Sequence, residues 1–453
     1  MRDLVFVAFL GLLFAAGFRK PFVFVLTYVY IDIVSPQRLT YLLLNSVPIS
    51  LIACGLAVLA WAVVDDKRDT RMAPRQFLML ALLLYCLWTT KTADFPVEAQ
   101  FKWEWVWKAL AFAIFLPLTL RTKLRIESLL LFMVLSAASI IIVGGIKTLG
   151  SGGGYGQLNL MVDNNSGLYE GSTISMVAIA IIPLILWFTR FGTIFVPDWR
   201  VKAFCFALIF ACLLIPIGTS TRTGLLCIGL LAVLLLRDTK RRILYLSLMG
   251  AVGLAAVPFL PSSFTERMGT IKTYQADASA STRLAVWQWT MDYAKSHPLG
   301  GGFEAYRQNK IRYDKVKVEG AAANATVDTQ LEVDSGRAYH SAYFEMLGEQ
   351  GYFGLGLWIL IQLIGLLRME VLRRRYAREP GDMAWVAPLA GALQNAHFVY
   401  LLGAAFIAIA FQPFVYMLIG AQIGLDTYAA RRRSETAWTG FGTRRPTVAA
   451  AAA

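Results

Sequence analysis

Four side chains in this 453-residue chain have the types that proton transfer and anion binding require. Three are arginines, Arg222, Arg283 and Arg337, and the fourth is His340, at the end of the run Arg337-Ala-Tyr-His340. Imidazole titrates near neutral pH, so His340 can take a proton from a hydroxyl. Guanidinium stays ionised and grips two oxygens of a phosphate at once. Such a set suits a reaction in which a hydroxyl is activated while negative charge grows on a leaving phosphate oxygen. Of the other two histidines, His397 lies inside an apolar run and reads as a packed core imidazole, and His297 precedes a proline in a polar loop and reads as solvated.

The positions of these residues matter as much as their types. His340 closes the only long polar stretch, 261–342, and the chain turns apolar directly behind it. Arg283 stands near the start of the same stretch in Ser281-Thr-Arg283, ahead of the run Pro298-Leu-Gly-Gly-Gly302. Arg222 sits in the short turn Gly218-Thr-Ser-Thr-Arg222-Thr-Gly224 between two apolar runs. Exposing it to hydrocarbon would cost at least about 2.5 kcal/mol, so it reaches the interface or points into a polar cavity. Snorkelling at a helix end is the plainer reading and a bound anion the sharper one. Arg337 is either a third phosphate contact or a residue that shapes the loop.

Other candidates are weaker. Lys102 lies in Phe101-Lys-Trp-Glu-Trp-Val-Trp107, where tryptophans at this density mark the headgroup depth of a bilayer. Lys91, Lys102 and Lys108 are placed there either as anchors or to hold an anionic lipid head. The loop 147–173 contains Ser151-Gly-Gly-Gly-Tyr155-Gly156 and Asp163-Asn164-Asn165. No strand precedes its glycines and no Gly-Lys-Ser/Thr follows, so a substrate-facing loop with Tyr155, Asn164 and Asn165 is expected rather than a nucleotide site. No metal or cofactor is expected, because no Asp-x-Asp-like pair stands at an outer turn. Asp328, Glu332 and Asp334 read as a solvated acidic face.

Composition sets the frame that must hold these groups. The chain is 57% hydrophobic and only 16% charged, with a mean hydropathy of +0.56. Apolar runs of about 20 residues recur, each long enough to cross a bilayer as a helix. An all-α polytopic membrane protein with about twelve transmembrane helices is therefore expected. It divides into N-terminal helices (1–260), one large external loop (261–342), C-terminal helices (343–430) and a basic tail (431–453). The runs Leu4–Phe18 and Pro21–Val34 form a hairpin or one broken span, without a convincing cleavage site behind the first. Residues 385–430 have room for two spans, with a break near Gln412-Pro413.

The net charge of +14 does not point to nucleic acid. The large loop carries ten basic and nine acidic side chains and is almost neutral. The excess sits in clusters such as Arg121/Lys123/Arg125, Arg373/Arg374/Arg375 and Arg431/Arg432/Arg433, which recur at alternate ends of the spans and mark the cytoplasmic side. All five cysteines lie in apolar runs and read as packing residues.

The order of features resembles the O-antigen ligase and polymerase superfamily of bacterial envelope proteins. The likeness rests on Thr219-Ser-Thr-Arg222, Ser281-Thr-Arg283 with Trp287, Pro298-Leu-Gly-Gly-Gly302, His340-Ser341, and Glu349-Gln-Gly351-Tyr-Phe-Gly354, within residues 150–370. The N-terminal Phe18-Arg-Lys-Pro-Phe and Ser35-Pro-Gln-Arg look like a subgroup of O-glycosylation or O-antigen ligases. The resemblance implies a GT-C-type glycosyltransferase in the bacterial inner membrane, working on the periplasmic face. It would move a glycan from undecaprenyl diphosphate to a sugar hydroxyl of lipid A–core, inverting and without metal. His340 would be the base, and Arg222, Arg283 and Arg337 the diphosphate contacts. An O-antigen polymerase or a protein O-oligosaccharyltransferase shares this chemistry. A transporter of lipid-linked glycan is the rival of another class, although neither internal repeats nor several charges within spans are visible.

Overall fold

The computed structural model describes residues 2–67, 70–151, 168–237, 239–256, 278–319 and 326–436, with the single positions 258 and 265. The expected helical frame is present. The first apolar runs form a helical hairpin, α1 (Arg2–Arg19) and α2 (Phe22–Val34). They approach closely at Gly17, where a side chain would run into the ring of Phe24. A short helix α3 (Pro36–Leu39) precedes α4 (Ile49–Val64), α5 (Pro74–Lys91), α6 (Pro96–Thr119) and α7 (Lys123–Ser151). Then come α8 (Gly171–Phe191), α9 (Trp199–Gly218), α10 (Arg222–Leu236) and α11 (Arg242–Ala256). The last two apolar helices are α14 (Val386–Ala404) and α15 (Pro413–Thr436), with Pro413 opening the second, where a missing N–H costs nothing.

Four described helices are long and apolar enough to cross a membrane: Lys123–Gly150, Gly171–Phe191, Trp199–Gly218 and Ala342–Arg375. Four shorter ones are apolar as well. Helix α8 is central and packs against α7, α9, α10 and α14, whereas α9 turns Phe204, Phe206 and Phe210 outward. An apolar outer face of this kind suits contact with lipid tails.

Among the described residues the polar loop holds helix α12 (Ala278–Ser296), a 3-10 turn at Ala305–Gln308, and an antiparallel hairpin of β1 (Lys310–Glu319) and β2 (Thr326–Ser335). The hairpin is an addition to the all-helical expectation. Its register pairs Lys310 with Ser335 and Glu319 with Thr326. Asp328, Glu332 and Asp334 thus belong to a strand. Behind the loop, α13 (Ala342–Arg375) is one long helix broken at Gly351, whose φ of 63° and ψ of −168° are not helical.

The two ends of the bundle differ in chemistry. At one end Arg125 grips both oxygens of Asp65 (2.5 and 2.7 Å), Arg368 does the same to Asp426 (2.8 and 2.7 Å), and Arg237 donates to Gln394 (2.9 Å). At the other end the loop element α12 packs on α13 and β1.

Candidate active site

The turn before Arg222 is built by close packing. Thr221 ends an irregular corner in which Ser220 has a φ of 50°. The hydroxyls of Thr219, Thr221 and Ser175 form a triangle with sides of 2.8, 2.9 and 3.1 Å, which ties the corner to α8. Gly224 must be glycine here, because a side chain would lie 2.6 Å from Pro216 and 3.1 Å from Ser175. Arg222 is the first residue of α10 and is half-buried. Two helix N-termini, those of α8 and α10, therefore start at neighbouring points of the same end, and both favour an anion there.

Helix α12 carries the second arginine. Arg283 and Trp287 are four residues apart and share a face. Trp287 donates its indole N–H to the carbonyl of Tyr339 (2.9 Å) and stacks on Phe344 at 4.9 Å. That anchors the Arg283 face beside the segment holding His340.

Asn309 secures the third arginine by its backbone. Its side chain accepts from the Arg337 N–H (2.9 Å) and donates to the Arg337 carbonyl (2.7 Å), and it is fully buried. The guanidinium of Arg337 pairs with Asp334 in an exposed position.

His340 lies between a buried tyrosine and the first turn of α13. Its φ of 49° is left-handed, a region that costs a non-glycine residue about 1–3 kcal/mol and persists where the flanks over-determine it. Here Tyr339 and Ser341 on either side are each 1% exposed, while the imidazole itself stays accessible. Partial withdrawal from water pushes its pKa below the usual histidine value, the charges of Arg283 and Arg337 act in the same direction, and Glu170 opposes them. A neutral imidazole at neutral pH is the form able to accept a proton.

Glu170 links the parts and had no signal in the sequence. It caps α8, accepting from the N–H of Thr173 (2.6 Å) and its hydroxyl (2.8 Å). A side chain built on the next residue, Gly171, would meet Thr219 at 3.4 Å and Thr221 at 3.8 Å, so Glu170 adjoins the turn that leads into Arg222. The same carboxylate acts on His340. The Arg222 turn, Glu170, Arg283, Arg337 and His340 consequently occupy one end of the bundle, opposite the Arg125 and Arg368 pairs.

Of the weaker candidates, Tyr155, Asn164 and Asn165 lie outside the described residues. Lys102 is inside the bundle, where its Nζ donates to Glu345 (2.6 Å) and to both oxygens of Glu349 (2.9 and 2.8 Å). His397 is fully buried and bonds to Gln362 (2.7 Å) and Gln422 (3.1 Å), as a core imidazole should.

Two family models match parts of the chain. Residues 1–193 match a family of unknown function (DUF5935). Residues 206–359 match the O-antigen ligase family, a span that begins within α9, includes Arg222, Arg283, Arg337 and His340, and ends just past the break in α13. No curated protein matches the chain. The chain thus carries an O-antigen ligase domain around all four of these residues, which is consistent with a member of the O-antigen ligase and polymerase superfamily.

Proposed function

We propose that this protein is an O-antigen ligase of the bacterial inner membrane, with its site on the periplasmic face of a frame of about twelve spans. It transfers a glycan from undecaprenyl diphosphate to a sugar hydroxyl of lipid A–core, as a GT-C-type glycosyltransferase. His340 takes the proton of the acceptor hydroxyl, and the oxygen attacks the anomeric carbon of the donor. The bond from that carbon to the phosphate oxygen breaks, inverting the centre, and the lipid diphosphate departs with the electron pair. Arg222 and Arg283 neutralise the charge that grows on it, and Arg337 is a third contact. The observation that supports this reading best is that His340, whose pKa is lowered by desolvation and then by Arg283 and Arg337, stands beside cations that would also attract a diphosphate. Tyr155, Asn164 and Asn165 are the protein's candidate substrate-facing residues.

The test is reconstitution. Purified protein receives undecaprenyl-diphosphate-linked O-antigen and lipid A–core, with and without a chelator. Glycan on the core supports ligation, whereas lengthening of the donor glycan points to polymerisation and transfer to a polypeptide points to protein O-glycosylation. Movement of the donor across vesicles without any new glycosidic bond would make the protein a transporter and end the proposal. Activity that a chelator abolishes and a divalent ion restores would contradict the metal-free mechanism.

A further inference from the structure

The glycine run of the loop is docked into the break of α13. In an unbroken helix the carbonyls of Gly348 and Glu349 would accept from Tyr352 and Phe353. Instead they accept from Gly301 (3.1 Å) and Gly302 (2.9 Å), while the N–H of Tyr352 turns to the carbonyl of Pro298 (2.9 Å). Gly300 and Gly302, with φ of 87° and 77°, make this approach possible. A side chain on Gly302 would lie 2.6 Å from the carbonyl of Thr89 and 2.7 Å from the Cα of Ala93. The motif thus forms a joint between loop and helix.

A charged cluster locks that joint. The side chains of Lys102, Glu345 and Glu349 are 11, 5 and 0% exposed. All four carboxylate oxygens are used. Glu349 takes the Lys102 ammonium and the N–H of Glu304 (3.0 Å), and Glu345 takes Lys102 and the N–H of Ala410 (3.0 Å). Glu304 itself has a φ of 65°, so the lock, like the flanks of His340, holds a non-glycine residue in the left-handed region. From Glu304 the contacts lead to Tyr306, which donates to it (2.9 Å), and then edge-on to Tyr339 at 5.5 Å. The phenol of Tyr339 also rests on Gly348, where no side chain would fit. The residue after Tyr339 is His340.

We infer that Lys102 is a positioning residue for His340, acting through Glu349, the docked glycine run and Tyr339. The ammonium balances one of two carboxylates that would otherwise repel each other inside the bundle. With it in place, the 345–349 turn presents a fixed seat to Tyr339, and the left-handed backbone of His340 is held at the acceptor hydroxyl. This inference rests on His340 being the base of the proposed transfer. It assigns the lysine no contact with donor or acceptor.

The test compares Lys102→Met, Lys102→Arg, Glu349→Gln and His340→Ala in the reconstituted transfer assay, using undecaprenyl-diphosphate-linked O-antigen. Glu349→Gln keeps an oxygen for the Glu304 N–H and leaves Lys102 one carboxylate, so it serves if Lys102→Met does not fold. For folded Lys102→Met or Glu349→Gln, kcat is expected to fall about 10–100-fold with the donor KM nearly unchanged, since a misplaced base slows the chemical step and spares binding. Lys102→Arg is expected to regain much of the rate. A purely structural lysine would lower yield and thermal stability but leave kcat per folded molecule intact, and that result, with His340→Ala inactive, overturns this inference alone. Transfer by His340→Ala would remove the base itself, and this inference with it.

Discussion

At the scale of single residues, the proposal makes the charge state of His340 the controlling quantity. His340→Ala should slow transfer by about 10²–10⁴-fold, the usual contribution of a positioned base. Arg283→Ala should slow it by about 10²–10³-fold, the loss expected when one stabilising donor is removed. The pH dependence has a definite sign. Activity needs the neutral imidazole, so it falls as pH drops through the His340 pKa. Desolvation, Arg283 and Arg337 hold that pKa below the ordinary value of about 6.5, and the acid limb should therefore lie below it. Replacing Arg283 by Gln removes a cation and should move the limb to higher pH. Glu170→Gln removes the opposing carboxylate and should move it lower. A limb that stays put in both variants would show that another group titrates. The four candidate residues could be singled out in the sequence because they stand apart from the basic clusters, in the large polar loop or in the short turn Gly218–Gly224. Glu170 and Asn309 were not, since each works on a partner that only folding brings near: Glu170 on His340, and Asn309 on a backbone 28 residues away.

At the scale of elements, helices were readable and their interruptions were not. Run length and apolarity suffice to mark α8, α9 and α13, and Pro413 marked the start of α15. The hairpin escaped because its strands, Lys-Ile-Arg-Tyr-Asp-Lys-Val-Lys-Val-Glu and Thr-Val-Asp-Thr-Gln-Leu-Glu-Val-Asp-Ser, lack a clean apolar face. In α13 four glycines, Gly348, Gly351, Gly354 and Gly356, look alike in the sequence. In the fold only Gly351 breaks the helix, Gly348 seats Tyr339, and Gly356 has open space around it. The contrast yields a paired prediction. Gly351→Ala places a side chain at positive φ, within 2.5 Å of the Gly300 nitrogen and of the Leu299 carbonyl carbon, and should loosen the docked loop. Gly356→Ala meets nothing and should be neutral, or slightly stabilising by helix propensity. Thermal unfolding in detergent, with proteolysis of the 298–304 segment as a second readout, separates the two. Equal behaviour would mean that the docking does not hold the loop.

At the scale of the whole molecule, the charge distribution and the site stand at opposite ends, and this is what a periplasmic reaction requires. The arginine pairs with Asp65 and Asp426, together with the Arg373–Arg375 run, crowd one end of the bundle. Retention of basic residues on the cytoplasmic side orients such a frame, and under the proposed function that orientation would turn His340 and its arginines toward the periplasm. Single cysteines report the sidedness directly. His297 is exposed on the loop side and lies outside the proposed machinery, while Arg378 is exposed beyond the basic end of α13. Among the native thiols four are buried and only Cys54 is partly open, so background labelling should be low. A membrane-impermeant maleimide should label His297→Cys in intact spheroplasts and reach Arg378→Cys only after permeabilisation. The reverse pattern would put the site on the cytoplasmic side, where a glycan already carried across the membrane on its lipid could not reach it. The reaction proposed here would then have no substrate.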